Sequence, residues 1–283
     1  VYKRQDQIFN NVQQVGLKQA EILRTQAGIA TVLKLHSKGD NEGRWLTDLD
    51  VSYRYDFVSD KSDSLINRKD IVDLSEVSAL INFGNNRWSN NIFKISTIAS
   101  KRAPGITTAY WVTTGNNIKF PSLQQQISQI AFLNPDQRVL QPERMKSLEV
   151  GINLLTEPKS MENIDQMELQ ASIFRNDYIN KMRSTFLLGM PIAYFENITL
   201  ATMSGLELKA KAKTYEGKFT GEIGLSNYNI SDMSAFPFKS AFKLTINTTS
   251  KWSAFTFGAR FYQEGEQVGL ILVPEKGFNE ICL

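Results

Sequence analysis

Apolar and polar side chains alternate strictly over residues 206–213, which read LELKAKAK. Neighbouring side chains of an extended strand point to opposite faces of a sheet, whereas a helix, with a period of about 3.6 residues, would scatter them. One face of this segment is apolar, and the other carries the row Glu207, Lys209, Lys211 and Lys213. The segment therefore predicts a strand that lies between an apolar and an aqueous environment.

The same two-residue period recurs along most of the chain and predicts about eleven or twelve strands. The clearest further examples are residues 28–36, 45–55, 147–154, 219–225, 242–247 and 255–261. No segment shows the spacing of an amphipathic helix. We therefore predict an all-β protein.

The connections between these strands are predicted to alternate in length. Residues 215–217 and 249–251 read as short turns, whereas residues 230–240 and 101–142 read as long loops. Short turns at one end and long loops at the other are typical of an antiparallel up-and-down transmembrane β-barrel, whose strands carry interfacial aromatic residues. Aromatic residues near predicted strand ends are Trp45, Tyr55, Trp88, Trp252 and Tyr262.

Two other architectures share parts of this pattern. A soluble β-sandwich or propeller that serves as a binding module would also have one packed and one wet face. A passive porin-like barrel would show the same alternation as any other transmembrane barrel. Because the period is shared by so many strands and no helix is predicted, we favour a membrane barrel.

Composition narrows the choice without deciding it. Hydrophobic residues make up 42% of the chain, charged residues 22%, and the mean hydropathy is -0.27. These values suit a barrel with a wet interior, because only alternate residues of its wall face lipid. No window approaches the roughly 18 apolar residues of a membrane-spanning helix. The net charge of +3, without a dense run of Lys and Arg, gives no reason to expect a nucleic-acid partner.

The chain offers little material for catalysis or metal binding. Its only cysteine is Cys282 and its only histidine is His36, which excludes an intrachain disulfide and sites built from several cysteines or histidines. Asp48 and Asp50 share a predicted strand face and could pair as an acid and a base. Carboxylates on a wet wall explain them equally well. We therefore expect no catalytic residue, no metal, no cofactor and no enzymatic activity.

Three stretches between residues 114 and 151 carry a family resemblance. They are the segment ending in Lys119-Phe120-Pro121-Ser122-Leu123, then Leu133-Asn134-Pro135, then residues 140–151, which read LQPERMKSLEVG. Their order and spacing resemble the F-x-A-P-S-L, N-P-x-L and L-x-P-E-x-S-x-x-x-E-x-G segments of TonB-dependent outer-membrane receptors. The usual alanine before the first proline is absent here.

A second set of residues is similar to another strand of that family. Asn197, Ala201 and the run at residues 204–208 match its N-x-x-x-A-x-x-x-G-x-E pattern, and Asn227-Tyr228, Pro237 and Phe242 follow as in the family. The resemblance covers residues 107–263 and extends to the first hundred residues only by strand pattern.

The resemblance implies the function and localisation of the chain. It implies a Gram-negative outer-membrane receptor that actively takes up a scarce, bulky solute: an iron chelate such as a siderophore, cobalamin or an oligosaccharide. Its partners would be outer-membrane lipid, the chelate or other small-molecule ligand, and the TonB complex, contacted through a plug domain. The ligand-facing loop is then predicted to include Lys101, Arg102, Tyr110, Trp111, Asn116, Asn117 and Lys119, while Glu207, Lys209, Lys211 and Lys213 face the lumen.

The chain is expected to be part of a larger barrel. It begins without methionine and ends without a closing strand signal, and neither a plug nor a TonB-contacting segment is evident. We divide it into early strands over residues 6–100, a long loop over residues 101–142 and strands of the C-terminal half over residues 143–283. A partial set of strands predicts a curved open sheet, or a forced smaller closure.

Overall fold

The computed structural model describes residues 2–9, 18–37, 44–62, 66–67, 80–81, 86–126, 140–158, 163–187, 193–269 and 271–272. These residues form almost entirely β-structure, which confirms the predicted fold class. The strands are β1 (Tyr2–Phe9), β2 (Lys18–His36), β3 (Trp45–Ser62), β4 (Ile66–Asn67), β5 (Leu80–Ile81), β6 (Arg87–Ala103), β7 (Ile106–Lys119), β8 (Glu143–Thr156), β9 (Ile164–Leu187), β10 (Ala193–Thr214), β11 (Phe219–Ile230), β12 (Phe242–Trp252), β13 (Phe255–Glu264) and β14 (Ile271–Leu272). None of the described helical residues forms a helix long and apolar enough to cross a membrane.

Antiparallel pairing of sequential neighbours builds one 12-stranded sheet. Its order is β1-β2-β3-β6-β7-β8-β9-β10-β11-β12-β13, with β14 added in parallel to β9, while β4 and β5 pair separately. Within the described residues β1 and β13 do not pair with each other, so the sheet is open, as predicted for a partial barrel. A second sheet packed face to face, which a sandwich would need, is not present in this part of the chain.

The register preserves the alternation seen in the sequence and gives the sheet two chemically different faces. Leu206 lies opposite Ile173, and both side chains are well exposed. Glu207 lies opposite Ser172 on the other face. We call the face that carries Leu148, Ile173 and Leu206 the outer face and the one that carries Ser172 and Glu207 the inner face. A shift of one residue would exchange the two sets, so the pattern fixes the register.

Short turns lie at one end of the sheet. Residues 104–105 join β6 to β7, and residues 215–218 join β10 to β11. Gly105 and Gly217 both have a φ of 74°, a backbone conformation that glycine adopts without a steric penalty. The longer connections after β3, β7 and β11 lie at the opposite end, which we call the long-loop end.

The predicted long loop over residues 101–142 is wrong in its first half. Residues 101–103 complete β6, and residues 106–119 form β7. Pro104 lies in the turn and Pro121 follows the end of β7. A proline interrupts the hydrogen bonds of a sheet only at its own position. The residues between these two prolines are rich in Thr, Ile, Tyr and Trp, which favour strands.

One predicted turn also differs. Residues 249–251 are part of β12, and the turn lies at residues 253–254, where Ser253 has a φ of 54°. The polar residues that read as a turn signal stand on a strand there, because the polar face of this sheet accepts them.

Candidate functional site

The inner face carries a continuous polar surface across β9 to β13. At the level of Lys211 the strands present, in order, Glu168, Lys211, Glu222, Asn247 and Arg260. Opposite charges on neighbouring strands attract one another, whereas like charges facing each other would destabilise the sheet. Lys209 also reaches Glu222, with 3.3 Å between Nζ and Oε2.

The four predicted lumen residues all lie on this inner face. Glu207 accepts a hydrogen bond from the Tyr228 hydroxyl at 2.8 Å. Glu207 and Lys209 line an open cleft of about 340 Å³ together with Glu222, Asn247 and Arg260. Lys211 and Lys213 continue the row toward the short-turn end. The cleft can therefore present both carboxylates and cations to a polar partner.

A glycine on β8 creates room for an aromatic side chain on the inner face. Gly151 lies opposite Trp111 of β7, and a Cβ atom on Gly151 would stand 2.6 Å from Trp111 Cη2. Trp111 Nε1 donates a hydrogen bond to Glu149 Oε1 at 3.0 Å. The indole ring of Trp111 thus lies over Gly151, and its N–H donates to Glu149, two residues away on the same strand.

The same arrangement recurs on β10. Tyr228 of β11 lies over Gly205, where a Cβ atom would stand 2.6 Å from Tyr228 Cδ1, and its hydroxyl donates to Glu207. Phe174 approaches Tyr228 from β9 with 5.7 Å between ring centroids. The two glycine-glutamate pairs of the motif strands therefore each hold an aromatic side chain.

Replacing Gly151 with valine is expected to cost about 1–3 kcal/mol of unfolding free energy, because its side chain would overlap the Trp111 ring. Combined with Trp111→Ala, which removes that ring, the substitution should cost clearly less than the sum of the two single changes. The shift in the denaturant midpoint of the protein in detergent measures each variant. Additive costs would show that Gly151 and Trp111 are not in contact.

The segment that follows β7 folds onto the inner face of β2 and β3. Pro121, Leu123 and Gln126 are buried, as are Val58 and Asp60 on β3, and Gln126 bonds to Asp60. Ser122 and Gln125 exchange backbone-to-side-chain hydrogen bonds of 2.9 and 3.1 Å. This reciprocal pair is a capping box, which starts the helical residues 123–126.

A buried polar node fixes this segment to the wall. Arg24 donates to both oxygens of Asp60, at 2.6 and 2.7 Å, and its Nη2 also donates to the Pro121 carbonyl at 2.8 Å. Gln126 Nε2 donates to Asp60 Oδ2 at 3.0 Å. Because burial makes an unpaired carboxylate costly, these bonds hold one another in place.

The connection between β11 and β12 folds inward as well. Its short 3-10 helix, Met233–Ala235, places Ala235 and Phe236 against Ala201 and Met203 of β10. Arg183 adds a polar anchor, since its Nη1 donates to Ser234 Oγ at 2.7 Å while its Nε lies 2.6 Å from Glu196 Oε1. Two connections therefore cover parts of the inner face at the long-loop end.

A local change of backbone direction places a cation beside this second connection. Asn180 has a φ of 54°, and Lys181 after it faces inward, as Tyr178 before it does. Lys181 Nζ lies 5.1 Å from the centre of the Tyr178 ring and 5.5 Å from that of Phe236. It also lies 3.0 Å from Glu143 Oε2, so the cation is neutralised. Its arrangement suits anchoring better than ligand capture.

Asn197 ties the base of the long connections to β10. Its Oδ1 accepts from the Gln141 backbone N–H at 2.7 Å, and its Nδ2 donates to the carbonyls of Gln141 and Asn180 at 3.0 and 2.8 Å. With Ala201, Gly205 and Glu207 it completes the motif on β10. Asn197 and Ala201 contact connections at the long-loop end, and Gly205 and Glu207 accommodate the Tyr228 side chain on the inner face.

Asp232 caps the 3-10 helix of the second connection. Hydrogen bonding to Ser234, whose N–H donates to Asp232 Oδ1 at 2.8 Å, lowers the pKa of this carboxyl below its ordinary value of 3.8. A lowered folded-state pKa means that the carboxylate stabilises the cap above the unfolded-state pKa and loses this effect as the pH falls through the folded-state value. We expect the NMR titration of the Asp232 carboxyl carbon to have its midpoint below 3.8. A midpoint at or above 3.8 would contradict the capping role.

The predicted ligand-facing residues do not form one group. Lys101 and Arg102 lie at the short-turn end, where Lys101 Nζ is 5.9 Å from the Trp45 ring centre. Tyr110 faces outward, and its ring centroid lies 5.8 Å from that of Trp45. Lys101 and Arg102 belong to β6 and Tyr110 to β7, so none of the three lies in a loop.

The remaining four predicted residues have different positions. Trp111 is held in the middle of the inner wall by Glu149, and Asn116 bonds to the backbone of β6 at Asn91 and Phe93. Asn117 and Lys119 lie at the long-loop end of β7. The inward-facing residues Arg24, Asp60 and Arg183 were not predicted. Their common signal, a charge on the polar face close to the end of a strand, is shared with many surface residues.

Three solved structures match this chain. Copper transporter OprC matches with 14% identity and a TM-score of 0.61, covering 92% of this chain and 39% of that one. The siderophore receptor PirA from Pseudomonas aeruginosa matches at 15% identity and a TM-score of 0.42, with 86% and 49% covered. A Q482A mutant of the ferric enterobactin receptor PfeA from the same organism, in complex with enterobactin, matches at 15% identity and a TM-score of 0.41. The match covers 90% of this chain and 43% of that one.

The chain thus spans less than half the length of each of these structures. At this identity the likeness to OprC shows the fold alone. No curated protein matches the sequence significantly.

The family assignment comes from the sequence. The family model described as TonB dependent receptor-like, beta-barrel matches residues 21–276, nearly the whole chain. Members of this family are transport proteins of the Gram-negative outer membrane rather than enzymes. The match confirms the resemblance identified in the motifs around Pro142-Glu143 and Gly205. The chain therefore belongs to the TonB-dependent receptor family and forms part of its β-barrel.

Proposed function

We propose that this chain is part of the barrel wall of a receptor that actively imports a scarce, bulky solute across the Gram-negative outer membrane. The observation that carries the proposal is the polar inner face, onto which two connections fold at the long-loop end. Arg24, Asp60 and Gln126 hold the first of them, and Ala201 and Met203 support the second. A passive pore needs a permanently open lumen, whereas covered entry suits a receptor that opens for a specific ligand.

The solute class in this proposal rests on the family. Copper transport, siderophore reception and enterobactin binding are named for the structural neighbours. Iron chelates, cobalamin and oligosaccharides are all too bulky for ordinary diffusion pores. Asn117 and Lys119 remain in our ligand-facing proposal because they lie at the long-loop end. Lys101, Arg102 and Tyr110 lie away from that end, so this proposal does not include them.

Energy coupling would come from outside the described sheet. In the proposed receptor a plug domain occupies the lumen and contacts TonB, and Glu207, Lys209 and Lys211 would face it or the water around it. The alternating charges of the inner face can bind a polar protein surface without an apolar patch.

Uptake by cells that express the full-length receptor tests this function. The probes are a ferric siderophore, copper ion, cobalamin and a labelled oligosaccharide, each measured with and without a protonophore and in a strain lacking TonB. We expect saturable uptake of one probe that stops in both of the latter conditions. Uptake proportional to probe concentration and indifferent to both conditions would instead indicate a passive pore.

A further inference from the structure

One lysine lies between the two connections that fold onto the inner face. Lys181 Nζ donates to Glu143 Oε1 at 3.1 Å and to Glu143 Oε2 at 3.0 Å. Glu143 begins β8 and directly follows residues 140–142, which we call the end of the first connection. The same ammonium group lies 5.5 Å from the ring centre of Phe236, which belongs to the second connection, residues 231–241. Lys181 therefore links the two connections.

Both members of the ion pair are shielded from water. The side chains of Lys181 and Glu143 retain 16% and 9% of their exposure. Glu143 Oε2 also accepts the Met182 N–H at 2.9 Å, which fixes the carboxylate to β9. Phe236 packs edge-on against Tyr178, with 5.2 Å between ring centroids, and both rings lie close to the ammonium group. The charge is thus held by a carboxylate from one connection and covered by a ring from the other.

The end of the first connection depends on the same part of β9. Asn197 accepts the Gln141 N–H at 2.7 Å and donates to the carbonyl of Asn180 at 2.8 Å. Asn180 is the neighbour of Lys181, and the residues on either side of Gln141 are both buried. A displacement of Lys181 would therefore disturb residues 140–142 through the backbone as well as through the ion pair.

Releasing either connection weakens the hold on the other. Without Phe236 the pair of Lys181 and Glu143 would face water, where an ion pair contributes little. Without Glu143 the ammonium group would be a buried charge that lacks a partner, which favours its hydration and the displacement of the ring that covers it. A coupling between two equilibria acts equally in both directions.

We propose that Lys181 joins the two connections into one conformational unit, so that they leave the inner face together. The inference goes beyond the import of a solute, because it concerns the wall alone and is independent of the solute's identity. A solute that displaces one connection then releases the other without touching it. The inner face is therefore uncovered in one step rather than two.

Hydrogen exchange of the full-length protein in detergent, without any solute, tests this coupling. Ser234→Ala removes the bond from Arg183 that anchors the second connection, and it should speed the exchange of residues 233–236 about tenfold. Residues 140–143 should speed up by a similar factor, because they exchange through the same opening. In the background of Lys181→Met, which keeps an apolar side chain but removes the charge, Ser234→Ala should affect only residues 233–236.

Two further backgrounds make the test specific. Arg175→Met is the matched control, because it removes a cation of the same strand that pairs with Asp177 on the outer face. There the effect of Ser234→Ala should reach residues 140–143 as it does in the unmodified protein. Phe236→Leu breaks the contact with Lys181 from the other side and keeps an apolar side chain in the cluster of the second connection. In this background the effect should again stay within residues 233–236.

Three results would overturn the proposal. Unchanged exchange of residues 140–143 in Ser234→Ala would show that the connections move independently. An effect on these residues that persists in both Lys181→Met and Phe236→Leu would place the link elsewhere. Loss of the effect in Arg175→Met would show that any loosening of β9 suffices. A receptor that imports none of the tested solutes but shows the expected exchange would refute the proposed function and leave the coupling standing.

Discussion

Replacing Asp60 with alanine is expected to destabilise the protein by about 3–5 kcal/mol, because it leaves a largely buried guanidinium without its partner. Arg24 retains only 15% of its side-chain exposure and Asp60 none. Gln126 Nε2 would also lose the acceptor that holds it at 3.0 Å. Denaturant titration in detergent measures the stability. Hydrogen exchange of the amides of residues 122–126 should speed up at the same time, because the node holds that turn on the wall.

Asp48→Ala is the matched control on the same strand. Asp48 lies 3.0 Å from His36, but both side chains are about half exposed. Exposed pairs contribute at most about 1 kcal/mol, so this variant should unfold close to the unmodified protein. Equal effects at Asp48 and Asp60 would show that the node does not fix the segment after β7.

Gly115→Val should destabilise the protein by about 3 kcal/mol, since a side chain there meets backbone that cannot rotate away. A Cβ atom on Gly115 would collide with the Phe93 carbonyl oxygen and stand 2.9 Å from Lys94 Cα. Asn116 explains this close approach. Its side chain bonds to the Phe93 N–H at 2.6 Å and to the Asn91 carbonyl at 3.0 Å. These bonds extend the contact between β6 and β7 beyond the last paired residues.

Gly224→Val provides the comparison on the inner face of β11. The nearest atom to a Cβ there is Thr245 Cβ at 3.9 Å, an ordinary contact. Valine favours strands over glycine, so this variant should be neutral or slightly stabilised. Unlike at Gly151, removing one neighbouring side chain should not rescue Gly115→Val. A rescue by Lys94→Ala would contradict the backbone contact.

The wall was predictable from the sequence because a period of two determines both the strand and its face. Leu206 and Glu207 fall on opposite faces as expected, and the neighbouring strands keep the same parity. The motif strands were also recognisable from Pro142-Glu143 and Gly205. Their physical roles were not, because a glycine shows its purpose only when the Trp or Tyr from the next strand is seen above it.

The inward-folded connections could not be predicted in the same way. Arg24 and Asp60 are 36 residues apart in the sequence, and Arg24 and Pro121 are 97 apart. No local period links such residues, since their contact depends on how strands pair. The assignment of Tyr110 to a loop was wrong for a different reason. Pro104 and Pro121 frame its segment, although neither lies inside β7.

Site-directed spin labelling of residues 206–211 tests the central claim most directly. Single cysteines would be placed in turn along β10 of the full-length protein in lipid vesicles, after Cys282 and every other native cysteine have been replaced with serine. We predict that labels at Leu206, Leu208 and Ala210 collide with dissolved oxygen from the lipid, and that labels at Glu207, Lys209 and Lys211 collide with a water-soluble nickel complex. Equal access of the nickel complex to all six positions would contradict a wall between lipid and a wet lumen.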